Sequence, residues 1–221
     1  MKRIACIHTV YSVIQSFTQQ LREGVPGDFL IHTLYDDFLA TDPAMTGEFS
    51  ETNHNRLRLD MQAQALTGAD LIVVSCSTPL PLGASAAGRV FHPPWWPIDD
   101  AMVNEAVTLG SRIGLLATAN STVKPSSSAL EAAAQAAGKT IDLQVVCNEE
   151  AINALKAGDQ ATHDRLVLEM AQSLKPCDVI VLAQASMAHM EQEVARQTGI
   201  PTLSSPARCV AQIAKIMEGL A

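Results

Sequence analysis

The sequence is poor in aromatic side chains and has no excess of positive charge. Phe, Trp and Tyr make up 4% of the 221 residues, so Ala, Leu, Val and Ile must fill the interior. Lys and Arg number 15 against 23 Asp and Glu, which gives a formal net charge of −8. Because phosphate contacts need a basic face, this balance excludes nucleic acid as an expected partner.

Long apolar runs are also missing. No stretch approaches the ~18 uninterrupted apolar residues that a membrane-spanning helix requires. The apolar segment at residues 4–8 follows Met1-Lys2-Arg3, but it is too short for a signal peptide and lacks a cleavage site. We therefore expect a cytoplasmic protein that does not bind a membrane.

Cysteines are few, odd in number and scattered. The five are Cys6, Cys76, Cys147, Cys177 and Cys209, and none of them forms a C-x-x-C pair. This spacing predicts neither a disulfide framework nor a zinc site.

Hydrophobic residues make up 48% of the chain and charged residues 17%, which is enough apolar material for a substantial core. Short apolar runs alternate with helical patterns, and this order favours a largely parallel sheet with right-handed crossovers. The predicted strands cover residues 2–9, 29–35, 71–76, 112–118, 141–147 and 178–184. The predicted helices cover residues 12–22, 52–66, 99–109 and 126–137, with others up to 175, from 187 and after 205. The stretch 79–97 is predicted to be a loop.

Two segments of the chain repeat. Residues 3–9 match residues 112–118, and residues 70–76 match residues 178–184, with offsets of 109 and 108 residues respectively. We interpret this as a duplication that gives an α/β fold of two similar lobes with mainly parallel sheets, related by a pseudo-twofold. The first lobe is predicted to comprise residues 1–97 plus 206–221, and the second residues 98–205. Because ligands bind at the carboxyl ends of parallel strands, we expect the active site in the cleft between the lobes.

Cys76 is the strongest chemical candidate. It ends an apolar strand and is followed by Ser77, Thr78 and Pro79. Turn amides and a nearby helix start would lower the pKa of such a thiol from about 8.5 and favour the thiolate. The alternative is that Cys76 is only a small apolar residue, as we predict for Cys6. The adjacent hydroxyls and the duplicated cleft favour the catalytic interpretation.

A hydroxyl-rich segment, residues 118–122, leaves its strand at the related place in the second half. Hydroxyls and turn amides can bind a carboxylate without a buried cation, leaving a neighbouring thiolate reactive. The same residues can also cap the helix that follows. Both interpretations remain open at this point.

The motifs resemble the aspartate/glutamate/hydantoin racemase superfamily. Ser75-Cys76-Ser77-Thr78 is similar to its first signature, residues 113–118 to its second-lobe strand, and residues 179–187 to its second signature. The resemblance implies a pseudo-twofold fold that works without metal or cofactor. It also implies two cysteines flanking the α-carbon of a carboxylate substrate, one removing a proton and the other returning one on the opposite face.

The sequence departs from that pattern at the second cysteine. The signature usually reads Gly-Cys-(Ala or Thr), whereas here it reads Ala183-Gln184-Ala185-Ser186. Glutamine has no titratable proton, but it can donate a hydrogen bond to a carboxylate or a developing enediolate. Either another group supplies the second proton, or the reaction needs one thiol. The resemblance includes malonate decarboxylases that keep one cysteine, although theirs belongs to the opposite lobe.

Few other residues are candidates for proton transfer. His8 ends the first strand and Tyr11 lies in the loop after it, whereas His189 is interpreted as inside a helix and turned away. His32, His54 and His163 are interpreted as surface or packing residues.

Two further clusters are interpreted as structural. Residues 92–97, with two tryptophans, form either a lid over the thiol or a Pro-ordered linker whose tryptophans pack on the protein or on a second subunit. The pairs Asp36-Asp37 and Glu149-Glu150 lack metal-ligand spacing and are interpreted as solvated loop or helix-start charges.

These observations lead to one predicted site and three alternative functions. The predicted catalytic residues are Cys76, Gln184 and His8. The predicted substrate-binding residues are Thr9, Tyr11, Ser77, Thr78, Thr118, Asn120, Ser121, Thr122, Ala185 and Ser186. The leading function is a racemase or isomerase acting at the carbon alpha to a carboxylate of a small amino acid or related acid, with one catalytic thiol. The alternatives are a single-thiol decarboxylase or lyase of a malonate-like acid, and a non-catalytic carboxylate-binding protein. No metal or cofactor is expected, and a homodimer would be ordinary for such a fold.

Overall fold

The computed structural model describes residues 1–76 and 92–219. The chain divides into two compact units, Met1–Ala101 with Pro206–Ala221, and Met102–Ser205. We refer to them as the first and the second lobe. Among the described helices, none has both the length and the apolar character needed to cross a membrane.

The first lobe is a parallel sheet with helices in its crossovers. In chain order its elements begin with β1 (Lys2–His8), α1 (Tyr11–Gly24), β2 (Phe29–Tyr35), α2 (Phe38–Thr46), α3 (Glu51–Ala65), β3 (Leu71–Val74) and β4 (Trp95–Pro97). The described strands lie in the order β2-β1-β3-β4, and every pairing is parallel. Helix α4 (Asp100–Leu109) then leads into the second lobe.

The second lobe repeats this arrangement. Its elements are β5 (Arg112–Ala117), α5 (Asn120–Ala136), β6 (Asp142–Cys147), α6 (Glu149–Lys156), α7 (Gln160–Ser173), β7 (Val179–Leu182), a 3₁₀ helix (Ala185–Met190), α8 (Glu191–Thr198) and β8 (Thr202–Leu203). The strand order β6-β5-β7-β8 is again parallel and matches that of the first sheet. The last helix, α9 (Ser205–Gly219), returns to the first lobe.

The duplication extends to individual backbone hydrogen bonds. Where the two central strands of each sheet begin, Asp70 N donates to Arg3 O at 2.8 Å and Asp178 N donates to Arg112 O at 2.7 Å. Where they end, Ser75 N donates to Ile7 O and Ala183 N donates to Leu116 O, both at 2.9 Å. The prediction of two similar α/β lobes with parallel sheets is therefore confirmed.

Each lobe has an aliphatic core, as the scarcity of aromatic residues requires. Leu57 and Ile72 are fully buried in the first lobe, and Leu115 and Ile180 are fully buried in the second. In β5, a Cβ atom on Gly114 would lie 2.6 Å from Cδ1 of Leu174, so a side chain there would collide with the segment that follows α7. The absence of a side chain at Gly114 thus lets Leu174 pack closely against β5.

Local signals set several helix boundaries. At the start of α3, Ser50 N donates to Oδ1 of Asn53 at 2.8 Å, and Asn53 N donates to Ser50 Oγ at 3.3 Å. This reciprocal pair satisfies two amides that the first turn leaves open. Helix α8 is followed by Gly199, whose φ of +69° is a left-handed conformation that glycine adopts without strain.

Three predictions about the elements were wrong. Helix α2 was not predicted, because its Pro43 and its lack of apolar periodicity hide it. Residues 95–97 were predicted to be loop, but they pair with β3 as the short strand β4, with Trp95 buried in the core of the first lobe. Helix α5 begins at Asn120 rather than at residue 126, since it continues through Pro125.

Candidate active site

In the first lobe the candidate residues follow the ends of the neighbouring strands β1 and β3. The parallel register pairs Ile7 with Val74, so His8 and Ser75 lie side by side. Cys76 is the next residue and is 8% exposed. The predicted ligands Ser77 and Thr78 lie outside the described residues.

His8 and Ser75 form a buried polar pair. Ser75 Oγ is 2.6 Å from His8 Nδ1 and 3.3 Å from Ile7 O, so one hydroxyl links the ring to the backbone. The His8 ring also packs edge-on against Phe17. Burial lowers the pKa of His8 to about 4, so the imidazole is neutral at pH 7. Sequence reasoning missed Ser75, because its partner depends on the pairing of β1 with β3.

The residues after β1 differ in exposure. Thr9 is buried, and its Oγ1 has no hydrogen-bond partner among the described residues. Tyr11 opens α1 with 75% of its surface exposed, and its ring lies 5.9 Å from that of Tyr35. Thr9 therefore belongs to the buried strand end, whereas Tyr11 lies on the surface beside β2.

The interpretation of Asp36 as a solvated charge was wrong. Asp36 follows β2, is 4% exposed, and forms an ion pair with Arg56 of α3. Its amide donates to His8 O at 2.9 Å, because β2 lies directly beside β1. Burial, followed by the hydrogen bond and charge of Asp36, raises the pKa of nearby Asp60 to about 7. Sequence reasoning also missed Arg56, since only the packing of α3 brings it to this strand end.

The second lobe carries different side chains on the same backbone. Ala117 and Ala183 stand where the first lobe has His8 and Ser75, and Gln184 stands where it has Cys76. Gln184 Oε1 accepts a hydrogen bond from Thr118 N at 2.8 Å. The position of Gln184 therefore agrees with the sequence repeat, and its side chain is held by the end of β5.

The predicted hydroxyl ligands of this lobe lie at the start of α5. Thr118 and Thr122 are buried, and Thr118 Oγ1 has no partner among the described residues. Asn120 N donates to Glu149 Oε1 at 3.2 Å, so Glu149 caps α5 as well as opening α6. Three more predicted ligands, Ser121, Ala185 and Ser186, are half-buried at the ends of β5 and β7.

Two histidines meet at one carboxylate, a contact that the sequence did not indicate. His189 is in the 3₁₀ helix, and its Nε2 is 2.7 Å from Oδ1 of Asp164. His163 is fully buried in α7 and contacts the same oxygen. Among the described residues, these side chains bond to one another, whereas the side chain of Gln184 bonds to the Thr118 amide.

The comparisons with known proteins agree with this architecture. Residues 7–213 match the model of a family described as Asp/Glu/Hydantoin racemase. No curated protein sequence matches the chain at a significant level.

Several solved structures share the fold. A glutamate racemase isoform from Bacillus anthracis has a TM-score of 0.73 at 13% identity, covering 100% of this chain and 83% of that one. An allantoin racemase from Klebsiella pneumoniae has a TM-score of 0.68 at 16% identity, with coverage of 100% and 89%. A maleate cis-trans isomerase from Nocardia farcinica has a TM-score of 0.62 at 17% identity, with coverage of 99% and 93%.

At such identities the solved structures show the fold, whereas the family model identifies the sequence itself. The match runs from the end of β1 into α9 and includes both strand ends with Cys76 and Gln184. The chain therefore belongs to the Asp/Glu/hydantoin racemase family and is an enzyme of the racemase and isomerase superfamily.

Proposed function

We propose that this enzyme moves a proton at the carbon alpha to a carboxylate of a small amino acid or related acid, without a cofactor and with Cys76 as its one catalytic thiol. The observation that carries the proposal is the asymmetry of the repeat. A thiol follows β3 in the first lobe, and an amide that cannot titrate follows β7 in the second.

The surroundings of Cys76 favour a thiolate. In the second lobe the Thr118 amide donates to the side chain at position 184. The Thr9 amide has the equivalent position in the first lobe, where we propose that it serves the sulfur of Cys76. Helix α1 begins two residues later and adds the partial positive charge of its first turn.

Gln184 suits the stabilisation of negative charge on the substrate. Because Thr118 N is a donor, the atom of Gln184 that faces it is the carbonyl oxygen. The amide NH₂ group then remains to donate to a carboxylate or to an enediolate oxygen as charge develops. Buried hydroxyls at Thr118 and Thr122 add further polar groups at the same strand end.

His8 is the candidate for completing the proton relay. With a pKa near 4 it carries no proton to give as an imidazolium at neutral pH, so it acts as a neutral base or hydrogen-bond partner. Ser75 holds Nδ1 of the ring, and Nε2 has no partner among the described residues. In this relay the Cys76 thiolate would take the α-proton and a solvent water would give a proton to the carbon. The resulting hydroxide would then recover a proton from the Cys76 thiol, directly or through Nε2 of His8.

A decarboxylase is the second candidate, and the absence of a titratable group at Gln184 favours it. The bond between the α-carbon of a malonate-like acid and one carboxyl carbon would break, and carbon dioxide would leave. The electron pair of the broken bond would stay on the α-carbon and form an enediolate with the remaining carboxylate. The Cys76 thiol would then give its proton to the carbon, and water would reprotonate the thiolate. This chemistry needs one acid and no second base.

The first experiment follows exchange of the α-hydrogen by NMR in deuterated water over a panel of small amino acids, hydantoins, hydroxy acids and malonates. Wild-type protein should exchange or decarboxylate at least one of them, and Cys76→Ala should abolish that activity. Cys147→Ala is the matched control, because Cys147 also ends a strand but is not predicted to react. An active Cys76→Ala protein would refute the mechanism, and binding without turnover would indicate a carboxylate-binding protein.

A second pair of variants tests Gln184. Gln184→Glu keeps an oxygen that can accept from Thr118 N but removes the NH₂ donor and adds charge. We expect it to fold normally and to lose about 10²–10³ in turnover, the range seen when one donor to a developing oxyanion is removed. Gln184→Cys restores the second thiol of the family signature and should raise racemisation relative to decarboxylation. Full activity in Gln184→Glu would remove Gln184 from the reaction.

A further inference from the structure

A cluster of three side chains in the second lobe is not used by the proposed reaction. His163 and Asp164 are adjacent in α7, and His189 lies in the 3₁₀ helix. His163 Nδ1 and His189 Nε2 each lie 2.7 Å from the same oxygen, Oδ1 of Asp164. The three donor atoms all lie within 4.8 Å of one another, and the two rings are 5.6 Å apart.

The hydrogen-bond partner of His189 Nδ1 determines whether Nε2 of the neutral ring carries a hydrogen or a lone pair. His189 Nδ1 is 3.1 Å from the carbonyl oxygen of Ser186, and a carbonyl can only accept. Nδ1 therefore carries the hydrogen, and a neutral ring has its lone pair on Nε2, directed at the carboxylate of Asp164. Two lone pairs that face each other repel unless a cation lies between them. Metal-binding histidines show this same arrangement, with the far N–H donated to a backbone carbonyl.

The other two groups are held in place before any ligand arrives. His163 is fully buried, so its ring cannot swing into solvent. Asp164 follows His163 directly in α7, so the same helix holds the carboxylate beside the buried ring. His189 is 37% exposed, which leaves one side of the cluster open to solvent.

We propose that His163, Asp164 and His189 form a binding site for a divalent transition-metal ion of the Zn²⁺ class. Two imidazole nitrogens and one carboxylate are a donor set that such ions accept, and the exposed side leaves room for water as a further ligand. Bonds of about 2.0–2.2 Å to a tetrahedral ion require donor atoms about 3.3–3.6 Å apart. The two shorter contacts would have to open by less than about 1 Å, which rotation of the exposed His189 and of the Asp164 side chain, 30% exposed, permits.

The bound ion would act on structure rather than on the reacting carbon. It would join α7 to the 3₁₀ helix, whose first residue follows Gln184 directly. Binding would therefore stabilise the second lobe and restrict the turn that carries Gln184 and Ser186. The proposal does not depend on the proposed reaction at Cys76, and its test needs no substrate.

The experiment titrates the full chain, stripped of metal, with Co²⁺ followed by visible absorption and with Zn²⁺ followed by calorimetry. We expect one ion per chain, a d–d absorption band of nitrogen and oxygen ligation, and no thiolate-to-cobalt charge-transfer band. His189→Ala and Asp164→Asn should each weaken binding at least about tenfold. The matched control is His92→Ala, which removes an exposed histidine of the first lobe.

Circular dichroism checks that each variant is folded. Two variants are used, so that the test can still be made if one of them does not fold. The absence of Co²⁺ binding to the wild type would overturn the proposal, as would wild-type affinity in both variants or a thiolate band that places the ion on a cysteine. In those cases the cluster is a hydrogen-bonded group that holds no metal ion.

Discussion

At the scale of single residues, the two lobes carry different side chains at equivalent backbone positions. His8, Ser75 and Cys76 of the first lobe correspond to Ala117, Ala183 and Gln184 of the second. The shared strand ends supply amides that point at the same places, and the side chains decide which chemistry is available there. One lobe thus offers a thiol with a neutral imidazole nearby, and the other offers an amide donor.

The buried His8 should make folding stability depend on pH. Its pKa is about 6.5 in the unfolded chain and about 4 in the folded protein, so between these values the unfolded chain binds more protons. Stability should therefore fall as the pH drops from 6.5 to 4, by up to about 3 kcal/mol at about 1.4 kcal/mol per pKa unit. His8→Asn, which keeps a polar group near Nδ1 but does not titrate, should lose this part of the pH dependence.

Urea unfolding at intervals between pH 4 and pH 7 measures the effect. The exposed His92 provides the control, since His92→Asn should leave the pH profile unchanged. If His8→Asn retained the whole loss of stability seen in the wild type, His8 would not be the group responsible.

At the scale of elements, α3 shows how a local signal positions a distant contact. The Ser50–Asn53 capping pair determines where the helix begins. Arg56 follows within the next turn and reaches Asp36 at the end of β2. The start of one helix thereby sets an ion pair beside the strand end that carries His8.

Ser50→Ala should destabilise the protein by about 1 kcal/mol, because the Asn53 amide loses its acceptor. The matched control is Ser128→Ala, an exposed serine within α5, where alanine is the better helix former. Denaturant unfolding should show a lower midpoint with an unchanged slope for Ser50→Ala and no loss for Ser128→Ala. Equal midpoints for Ser50→Ala and the wild type would mean that the cap does not stabilise α3.

At the scale of the whole molecule, the chain has two lobes with aliphatic cores of their own. The repeat provides a matched pair of core residues for testing each lobe. Ile72 in β3 and Ile180 in β7 are both fully buried, and they occupy equivalent positions in the two sheets.

Ile72→Ala and Ile180→Ala should each cost about 2–5 kcal/mol, the range for removing a large aliphatic side chain from a packed core. Native-state hydrogen exchange should locate the loss of amide protection in the lobe that carries the substitution. The reciprocal variant is the control for each. A uniform loss over both lobes from either substitution would show that the chain opens as one cooperative unit.

Much of the fold is readable from the sequence for a physical reason. Buried parallel strands are continuous apolar runs, so β1 and β5 were predicted within one residue of their observed bounds. The partly exposed β2 was predicted at its observed bounds. The short β4 and helix α2 escaped prediction, because prolines and a weak pattern conceal segments that depend on their neighbours for stability.

The sequence by itself determined the two-lobed α/β architecture, the repeat, and the correspondence of Cys76 in one lobe with Gln184 in the other, since each follows from local pattern and from alignment of the chain with itself. Only the tertiary structure decided that Ser75 holds His8, that Arg56 neutralises Asp36, and that His163, Asp164 and His189 meet. Those contacts join residues that are 20 to 67 positions apart, apart from the adjacent His163 and Asp164. Pairing of strands and packing of helices bring such residues together, and no local pattern records which side chains will face each other.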